Sequence, residues 1–484
     1  MAQRTIDLVV HGGRVALPGG VVQTAIAIDG ERIVAVGEAE ALPPARDYLD
    51  VTGKDVLPGV IDAHSHLGFD DWSSLPRTSA FGGVTTSIPF VGGATTPGSV
   101  PEIIRANQEE AARRSVLDVA FHAYLFPRPR AANPFEMLDG MAEGVKLGVR
   151  SYKMFTAYRK RGMMAGDDFI FRACRLLAAH GGLPMIHAEN GDLIDALEEQ
   201  RLAEGKVGPE HYHDSRPPEA EAEAIAGVAA LASYAQTPLY IVHLSTELGL
   251  NVIRERQRAG QALWCETCPQ YLALGDEAVQ RRGAFAKIAP PLRRAPDVQA
   301  MWRGLSEGTI SVVASDHSPH DPALKARAND GRNIFYLDDG GTVPFGMPGA
   351  ETLAPVLYSE AVSKRRLPLD WLARVLSENP ARIFGLHPRK GVIAPGSDAD
   401  LTIFDPSRRL TIREADLHSR TGYSVYEGIE VQGWPLLSLL RGKILLRDGE
   451  LCQPEGYGRF IPAGPPSPPI QGVAATEHFV PTHV

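Results

Sequence analysis

The sequence predicts an α/β protein: a (β/α)8 TIM-like barrel with a small β-sandwich domain formed by both chain ends. Three observations support this prediction. The chain has 484 residues, enough for a large barrel and a smaller companion domain. Its middle alternates apolar runs of strand length with helical segments, and both ends carry short β-like runs. An open doubly wound sheet is the alternative that fits the same alternation.

The two chain ends carry the predicted sandwich strands. Short apolar runs occupy residues 8–10, 26–28 and 33–36, and similar runs occupy 400–404, 431–433 and 439–446. We therefore predict one composite β-sandwich from residues 1–57 and 392–455, and a barrel from residues 58–391. Residues 456–484, rich in Pro and Gly, are predicted to form an extended C-terminal tail that packs on a neighbouring subunit.

Eight apolar runs in the middle of the chain predict the barrel strands. They lie at residues 55–61, 84–88, 117–121, 149–153, 183–186, 239–242, 262–265 and 310–314. Segments with helical periodicity separate most of them, at 101–114, 168–179, 219–234 and 248–258. In such a barrel the C-terminal ends of all strands meet at one mouth, where the active site forms.

Composition and charge narrow the class of ligand. The residues are 44% hydrophobic and 22% charged, which is typical of a globular protein. The net charge is −9 and no Lys/Arg run exceeds Arg159-Lys160-Arg161, which argues against a nucleic-acid partner and favours a small-molecule substrate. The first residues lack a leader pattern and no segment is apolar enough to span a bilayer, so we expect a cytoplasmic protein without a membrane partner.

The four cysteines are too few for a disulfide framework in a chain of this length. Cys265 and Cys268 have the spacing of a redox or zinc pair. No second pair accompanies them, and Pro269 follows directly, so buried thiols are favoured.

Side chains that bind metals fall at the ends of predicted strands. They follow or end strands one, four, five, six and eight, in the order His64, His66, Lys153, His187, His243 and Asp316. His64 and His66 are two apart on an extended segment, so their side chains point the same way. A His-X-His pair alone is more often incidental, and the convergence of the whole set on one mouth is what predicts a metal centre.

Lys153 does not fit this set as an ammonium, because a cation cannot bind a cation. A lysine with a lowered pKa could react with CO2 to form a carbamate, whose two oxygens can bridge two ions. A lysine paired with a carboxylate is the alternative that the residues alone favour.

Specific motifs across nearly the whole chain resemble the dihydropyrimidinase and hydantoinase branch of the amidohydrolase superfamily. They are PGVIDAHSH (58–66), SYKMFTAY (151–158), HAENGD (187–192), RPPEAE (216–221), CETCPQY (265–271), PPLR (290–293), SDH (315–317) and GSDAD (396–400). The resemblance implies a barrel with a β-sandwich from both termini, two divalent ions with zinc as the default, and N6-carboxylated Lys153 as the bridging ligand. It also implies a homo-oligomer, tetramer or dimer.

The same resemblance implies roles for single residues. His64, His66 and Asp316 would hold the more buried ion, and His187 and His243 the more exposed one. Asp316 would be the general acid and base, and Tyr158 would stabilise the oxyanion and contact the substrate. The expected reaction opens a cyclic amide, of hydantoin or dihydropyrimidine type, to an N-carbamoyl amino acid.

The sequence departs from the family pattern around the substrate. The loop after His66 is short, and we expect a more open mouth or a wall rebuilt from Phe69 and Trp72. Ala289 replaces a serine and Phe345 an asparagine of the dihydropyrimidinase pattern. Both positions are predicted to bind the ring through backbone groups, so binding should survive, and Phe345 adds apolar surface that suits larger rings.

Other functions fit parts of the same pattern. An allantoinase shares the fold, the metals and the reaction, whereas a dihydroorotase is disfavoured because Leu67-Gly68 replaces the arginine that binds its substrate carboxylate. A non-catalytic scaffold homologue is the alternative from another class, and the complete set of ligand-type residues argues against it.

Overall fold

A computed structural model describes residues 5–128 and 133–470 of the chain. Its strands are β1 (Ile6–His11), β2 (Arg14–Leu17), β3 (Gly20–Gln23), β4 (Ala25–Asp29), β5 (Arg32–Gly37), β6 (Ala45–Asp50), β7 (Asp55–Pro58), β8 (Val60–His66), β9 (Val84–Val91), β10 (Asp118–Val119), β11 (His122–Tyr124), β12 (Ser151–Phe155), β13 (Leu183–His187), β14 (Leu239–Ile241), β15 (Leu263–Thr267), β16 (Val312–Val313), β17 (Leu401–Thr411), β18 (Glu430–Leu440), β19 (Lys443–Arg447) and β20 (Glu450–Leu451).

The α-helices lie mainly between the strands of the middle region. They are α1 (Ser74–Phe81), α2 (Val100–Arg114), α3 (Glu136–Asp139), α4 (Met141–Lys146), α5 (Asp167–His180), α6 (Gly191–Ala203), α7 (Pro218–Ala235), α8 (Glu247–Arg258), α9 (Pro269–Ala273), α10 (Glu277–Arg282), α11 (Ala295–Glu307), α12 (Pro322–Asp330), α13 (Leu353–Tyr358), α14 (Leu369–Ala373) and α15 (Asn379–Ile383). Two π-helical segments, Ser359–Lys364 and Arg374–Glu378, continue α13 and α14.

The middle of the chain forms a parallel (β/α)8 barrel. Its strands run in the order β8, β9, β11, β12, β13, β14, β15, β16, with β10 also paired to β9 just before β11. The ring closes where Ser65 of the first strand bridges His317 beyond the eighth, and the His66 amide donates to the His317 carbonyl at 2.7 Å. The predicted fold class is therefore confirmed, and the doubly wound alternative is wrong.

The first barrel strand lies later than predicted. Residues 55–58 belong to β7 in a terminal sheet, and the barrel strand β8 begins at Val60. The predicted run 55–61 thus joined two strands, because both are buried and apolar and only a Gly59 break separates them.

The four predicted helices correspond to α2, α5, α7 and α8 within one residue at each end. The predicted and observed helix ends agree because local sequence determines where a helix begins, as the start of α2 shows. There Ser99 and Glu102 form a capping box, and the Ser99 amide donates to the Glu102 carboxylate at 2.8 Å.

Both chain ends build the terminal sheets. A seven-stranded sheet has the order β20-β19-β18-β17-β7-β2-β3, so strands from the two ends meet where β17 pairs with β7. A four-stranded sheet, β5-β4-β1-β6, comes from the N-terminal region alone. Buried apolar residues from both ends, among them Ile26, Val56, Leu401 and Leu439, form one cluster.

A buried ionic network, which we call the junction network, links the barrel to these sheets. The Lys390 ammonium lies 2.6 Å from Asp118, 3.0 Å from Asp398 and 2.6 Å from Asp400. The Arg441 guanidinium also pairs with Asp118. Asp118 is on the barrel strand β10, whereas Asp398 and Asp400 precede β17, so the network spans both parts.

The first part of the predicted C-terminal tail follows this chain's own barrel. The Val119 amide donates to the Arg459 carbonyl at 2.9 Å, and the Ile461 amide donates to Val119 at 2.7 Å. The Gly464 amide donates to Gly385 at 2.8 Å. Residues 471–484 of the tail lie outside the described residues.

Two further expectations concern cysteines and membranes. All four cysteines are free, and Cys265 and Cys268 are buried, as predicted for buried thiols. Among the helices of residues 5–128 and 133–470, none combines the length and the apolar character needed to cross a bilayer.

Candidate metal centre

The predicted ligand residues converge at the C-terminal ends of the barrel strands. His64 and His66 lie at the end of β8, Lys153 lies within β12, and His187 ends β13. His243 and Asp316 follow β14 and β16 by a few residues. The parallel register of the strands brings these six side chains to one mouth, as the sequence predicted.

His64, His66 and Asp316 form a compact group of donor atoms. The Nε2 atoms of His64 and His66 are 3.2 Å apart, and the Asp316 Oδ1 atom lies 3.1 Å from the first and 3.2 Å from the second. Ligand atoms about 2.1 Å from one tetrahedral ion are separated by roughly 3.4 Å. The three atoms therefore have the spacing of ligands that share one metal ion.

Neighbouring side chains contact the outer nitrogens of both histidines. Glu266 contacts His64 Nδ1 and also accepts a 2.9 Å bond from the Tyr240 hydroxyl, so the Nδ1 proton faces the carboxylate. The outer Nδ1 of His66 contacts the Tyr124 hydroxyl. The inner Nε2 atoms lie close to each other and to Asp316 Oδ1. If the outer Nδ1 atoms carry the protons, these three atoms are all acceptors, an arrangement that a metal ion would satisfy.

The pKa shifts of His64, His66 and Asp316 indicate that this group of donor atoms favours a nearby positive charge. Burial lowers the pKa of His66 to about 4, so this imidazole is neutral at neutral pH. Burial and Lys153 oppose protonation of His64, but Glu266 and Asp316 outweigh them and raise its pKa. Burial likewise opposes ionisation of Asp316, yet its imidazole neighbours hold the pKa of this carboxyl well below its usual range.

His187 and His243 form a second pair. His187 Nδ1 lies 2.9 Å from His243 Nε2, and His187 Nε2 lies 2.7 Å from Glu189 Oε2. Despite burial, Arg216 and His187 lower the pKa of Glu189 to about 2, so the carboxylate accepts the Nε2 proton. Burial lowers the pKa of both histidines, which suits neutral ligands for a second ion.

Lys153 lies beside the first group, and beyond the effect of burial its charge also contributes to lowering the pKa of His187 and His243. Its Nζ atom is 3.4 Å from His64 Nε2 and stacks over the rings of Phe90 and Phe155 at 4.8 and 5.3 Å. The side chain is 1% exposed, and this burial lowers its pKa to about 8. No carboxylate lies within 4.0 Å of the ammonium among the residues that the structure describes. The salt-bridged alternative for Lys153 is therefore wrong.

Tyr158 lies beside the second pair, with its ring centroid 4.8 Å from that of His187. Its backbone φ is 70°, and His243 and Asp316 have φ of 39° and 48°. Left-handed φ values cost bulky residues about 1–3 kcal/mol each and are maintained only where the surroundings enforce them. Three of them around one mouth indicate a site in which side-chain direction matters more than local stability.

The predicted substrate contacts lie at different distances from this centre. The Phe345 ring is 5.7 Å from the Tyr158 ring. The Gly346 amide donates to Lys287 at 2.9 Å, so the segment that holds Phe345 adjoins the one that leads to Ala289. Ala289 is 9% exposed, and its role remains a prediction.

The prediction that Trp72 lines the mouth is wrong. It is buried, its indole donates to Asn107 on α2 at 3.0 Å, and its ring packs 5.2 Å from Phe121. Phe69 is 39% exposed, and the Arg420 guanidinium lies 5.7 Å above its ring. Trp72 is buried because removing its large apolar ring from water stabilises the fold more than leaving the ring exposed at the mouth would.

Sequence reasoning missed the residues that orient the ligands. Glu266 and Glu189 lie in quoted motifs, but neither was assigned a role. The signal was present, since Glu266 is a carboxylate inside the apolar strand β15 and Glu189 follows His187 by two residues. Arg216 and Tyr124, which contact Glu189 and His66, had no comparable local signal.

The fold and this group of side chains define a barrel protein with two adjacent groups of residues of metal-ligand type. A model of the amidohydrolase family matches residues 56–445. The chain belongs to the amidohydrolase family.

Its relatives lie in the hydantoinase and dihydropyrimidinase branch. The chain is 34% identical over 434 residues to a D-phenylhydantoinase of Escherichia coli O1:K1, covering 88% of this chain and 91% of that one. It is 33% identical over 469 residues to a D-hydantoinase of Ralstonia pickettii, covering 94% and 98%. The crystal structure of dihydropyrimidinase from Brevibacillus agri matches with a TM-score of 0.87 and 32% identity, over 95% of this chain and 99% of the other.

Proposed function

We propose that this protein hydrolyses the cyclic amide bond of hydantoin- or dihydropyrimidine-type rings and releases N-carbamoyl amino acids. The observation that carries the proposal is that Lys153 lies 3.4 Å from His64 in the first group of ligand-type side chains and is also close enough to influence the charge of His187 and His243. Relatives named D-phenylhydantoinase and D-hydantoinase, aligned over most of both chains, support the choice of ring.

Two divalent ions, zinc by default, fit these donors. His64, His66 and Asp316 would hold one ion, His187 and His243 the other, and carboxylated Lys153 would serve both. The supporting chemistry is a set of four imidazoles and one carboxylate, in which Glu266 and Glu189 contact the outer nitrogens of His64 and His187. When bound, such ions lower the pKa of a water molecule and polarise the scissile carbonyl.

Carboxylation of Lys153 requires its neutral amine. The nitrogen lone pair attacks CO2, a nitrogen–carbon bond forms, and the amine loses a proton to solvent. A pKa lowered to about 8 by burial leaves a useful neutral fraction near pH 7. The resulting carbamate is negatively charged and replaces the positively charged ammonium of Lys153. This change of charge favours the binding of cations beside the four imidazoles.

Asp316 and Tyr158 would carry the proton and the developing charge. The pKa of Asp316 lies well below its usual range, so its carboxylate is ionised, and it would accept a proton from the attacking water and then pass it to the leaving amide nitrogen. Burial raises the pKa of Tyr158, so its phenol keeps its proton and can donate to the oxyanion. Backbone groups at Ala289 and Phe345 would orient the ring.

The test is a side-by-side assay of hydantoin, dihydrouracil, allantoin and dihydroorotate with metal-reconstituted protein. We expect hydantoin or dihydrouracil to be opened fastest and elemental analysis to find about two ions per chain. Preference for allantoin would make the protein an allantoinase. A preparation without bound metal that opens none of the rings after reconstitution would support the scaffold alternative.

We also propose a cytoplasmic homo-oligomer, a tetramer or dimer. The four free cysteines support a reducing compartment, and the family resemblance supports self-assembly. Light scattering of the purified protein and fractionation of the source cells test the two statements separately.

A further inference from the structure

Three consecutive cations follow the catalytic strand β12, and two of them are paired with carboxylates. Arg159 contacts Asp192 on the surface. Lys160 lies 3.5 Å from Glu198, with two further carboxylates at 3.8 Å. Arg161 has no carboxylate within 4.0 Å anywhere in residues 5–128 and 133–470, although its two neighbours show that partners are available on this loop.

The Arg161 guanidinium instead lies against the rings at the mouth of the site. Its central carbon is 4.5 Å from the centroid of Phe345 and 5.9 Å from that of Tyr158. Its only polar contact among the described residues is a long one, 3.5 Å from Nη2 to Thr342 Oγ1. Because Tyr158 adjoins His187, this places a cation beside the metal centre.

The other cations near Phe345 are already neutralised or discharged. Arg216 forms a buried ion pair with Glu189. Lys287 donates to the Val343 carbonyl at 3.0 Å, and burial holds its pKa well below the usual range. Arg161 is therefore the cation of this group whose charge has no anionic counterpart.

Removing a charged guanidinium even partly from water costs free energy unless an anion binds it. Burial lowers the pKa of Arg161, which reflects that cost. Stacking on aromatic rings offsets part of it and leaves the planar N–H edge available. Such an edge matches a carboxylate with two parallel hydrogen bonds.

We propose that Arg161 binds a carboxylate on the substituent of the substrate ring, so that the preferred substrates are cyclic ureides with an acidic side chain. This inference rests on the proposed function, because it concerns the same mouth. Arg161 would then be a specificity-determining residue that contacts the substrate's side chain and leaves the scissile bond to the metal centre.

The test compares acid and amide substrates of equal shape. Hydantoin with a 2-carboxyethyl group at C5 and its carboxamide analogue are assayed with metal-loaded wild type, R161Q, R161K and R159Q. We expect wild type to favour the acid by about 10- to 100-fold in kcat/KM, the range of one charge-assisted hydrogen bond. R161Q should lose this preference through KM, with the amide changed less than about threefold, and R161K should keep part of it.

R159Q is the matched control, because it removes the same charge from the same loop at a side chain that is 60% exposed and paired with Asp192. It should keep the preference for the acid. A wild type without that preference, or an R161Q variant that loses acid and amide equally, would overturn the inference and leave Arg161 a clamp for the loop.

Calorimetric titration separates this inference from the proposed function. The probes are N-carbamoylglutamate and N-carbamoylglutamine, bound to metal-loaded wild type and R161Q. Tighter binding of the acid to wild type alone supports the inference even if no ring is opened, in which case only the proposed function fails. Equal binding of the two compounds to wild type contradicts the inference, whatever the activity.

Discussion

Removing the ammonium at the centre of the junction network should destabilise the protein strongly. In a Lys390→Met variant, Asp398 keeps Arg389 at 2.9 Å and Arg32 at 2.6 Å. Within residues 5–128 and 133–470, Asp400 then has no side-chain cation and keeps only the hydrogen bond from the Arg441 amide, at 2.8 Å. The change therefore leaves one buried carboxylate without compensation, which costs about 3–5 kcal/mol.

Two further variants show whether the unpaired charge is the cause. In K390M/D400N no orphaned carboxylate remains at this position, so about half of the lost stability or more should return. Lys364→Met is the matched control, since Lys364 pairs with Glu360 at 2.5 Å but is 53% exposed, and it should cost less than about 1 kcal/mol.

The assay is urea-induced unfolding of the metal-loaded protein, comparing midpoints at equal slopes. Burial raises the pKa of Asp400, so its folded form binds a proton more readily than its unfolded form. The penalty in Lys390→Met should thus be full above that raised pKa and should shrink as the pH falls. A single variant within 1 kcal/mol of wild type, or a double variant no more stable than the single one, would refute the reasoning.

Three predictions concern the metal centre. Glu266→Gln should weaken metal binding by about 10- to 100-fold, because the anion that orients His64 is lost; chelator competition measures this, and unchanged affinity would contradict it. Tyr158→Phe should lower kcat by about 100- to 1000-fold at unchanged metal content, and unaltered turnover would exclude an oxyanion role. Because the pKa of Lys153 is lowered to about 8, the fraction of neutral amine falls about tenfold per pH unit below 8. The rate of CO2-dependent metal loading of the metal-free protein, measured at fixed dissolved CO2, should fall in the same proportion. A rate that does not change from pH 6 to 8 would count against carboxylation.

The sequence was informative wherever a single chemical pattern decides the outcome. The periodicity of α2, α5, α7 and α8 predicts their ends to within one residue, because caps and apolar faces are local properties. The convergence of the histidines could be predicted because they lie at or just beyond the ends of β8, β13 and β14, and the barrel topology brings strand ends together.

The remaining features depend on contacts between distant segments. Glu266 on β15 contacts His64 on β8, which lies two strands further around the closed barrel, and the neighbours of Glu266 along the chain do not identify that partner. Trp72 was misplaced because nothing local distinguishes an indole that packs on Phe121 from one that lines a mouth. The boundary between β7 and β8 was missed because two buried strands in succession have one continuous apolar pattern.

The pairing of β7 with β17 has a consequence for the order of folding during translation. Pro58 lies opposite Leu401 in that ladder, so the N-terminal strand has no partner on that edge until the ribosome has released almost the whole chain. The nascent protein must therefore carry an open apolar edge throughout barrel synthesis, the condition under which chaperone capture competes with self-association.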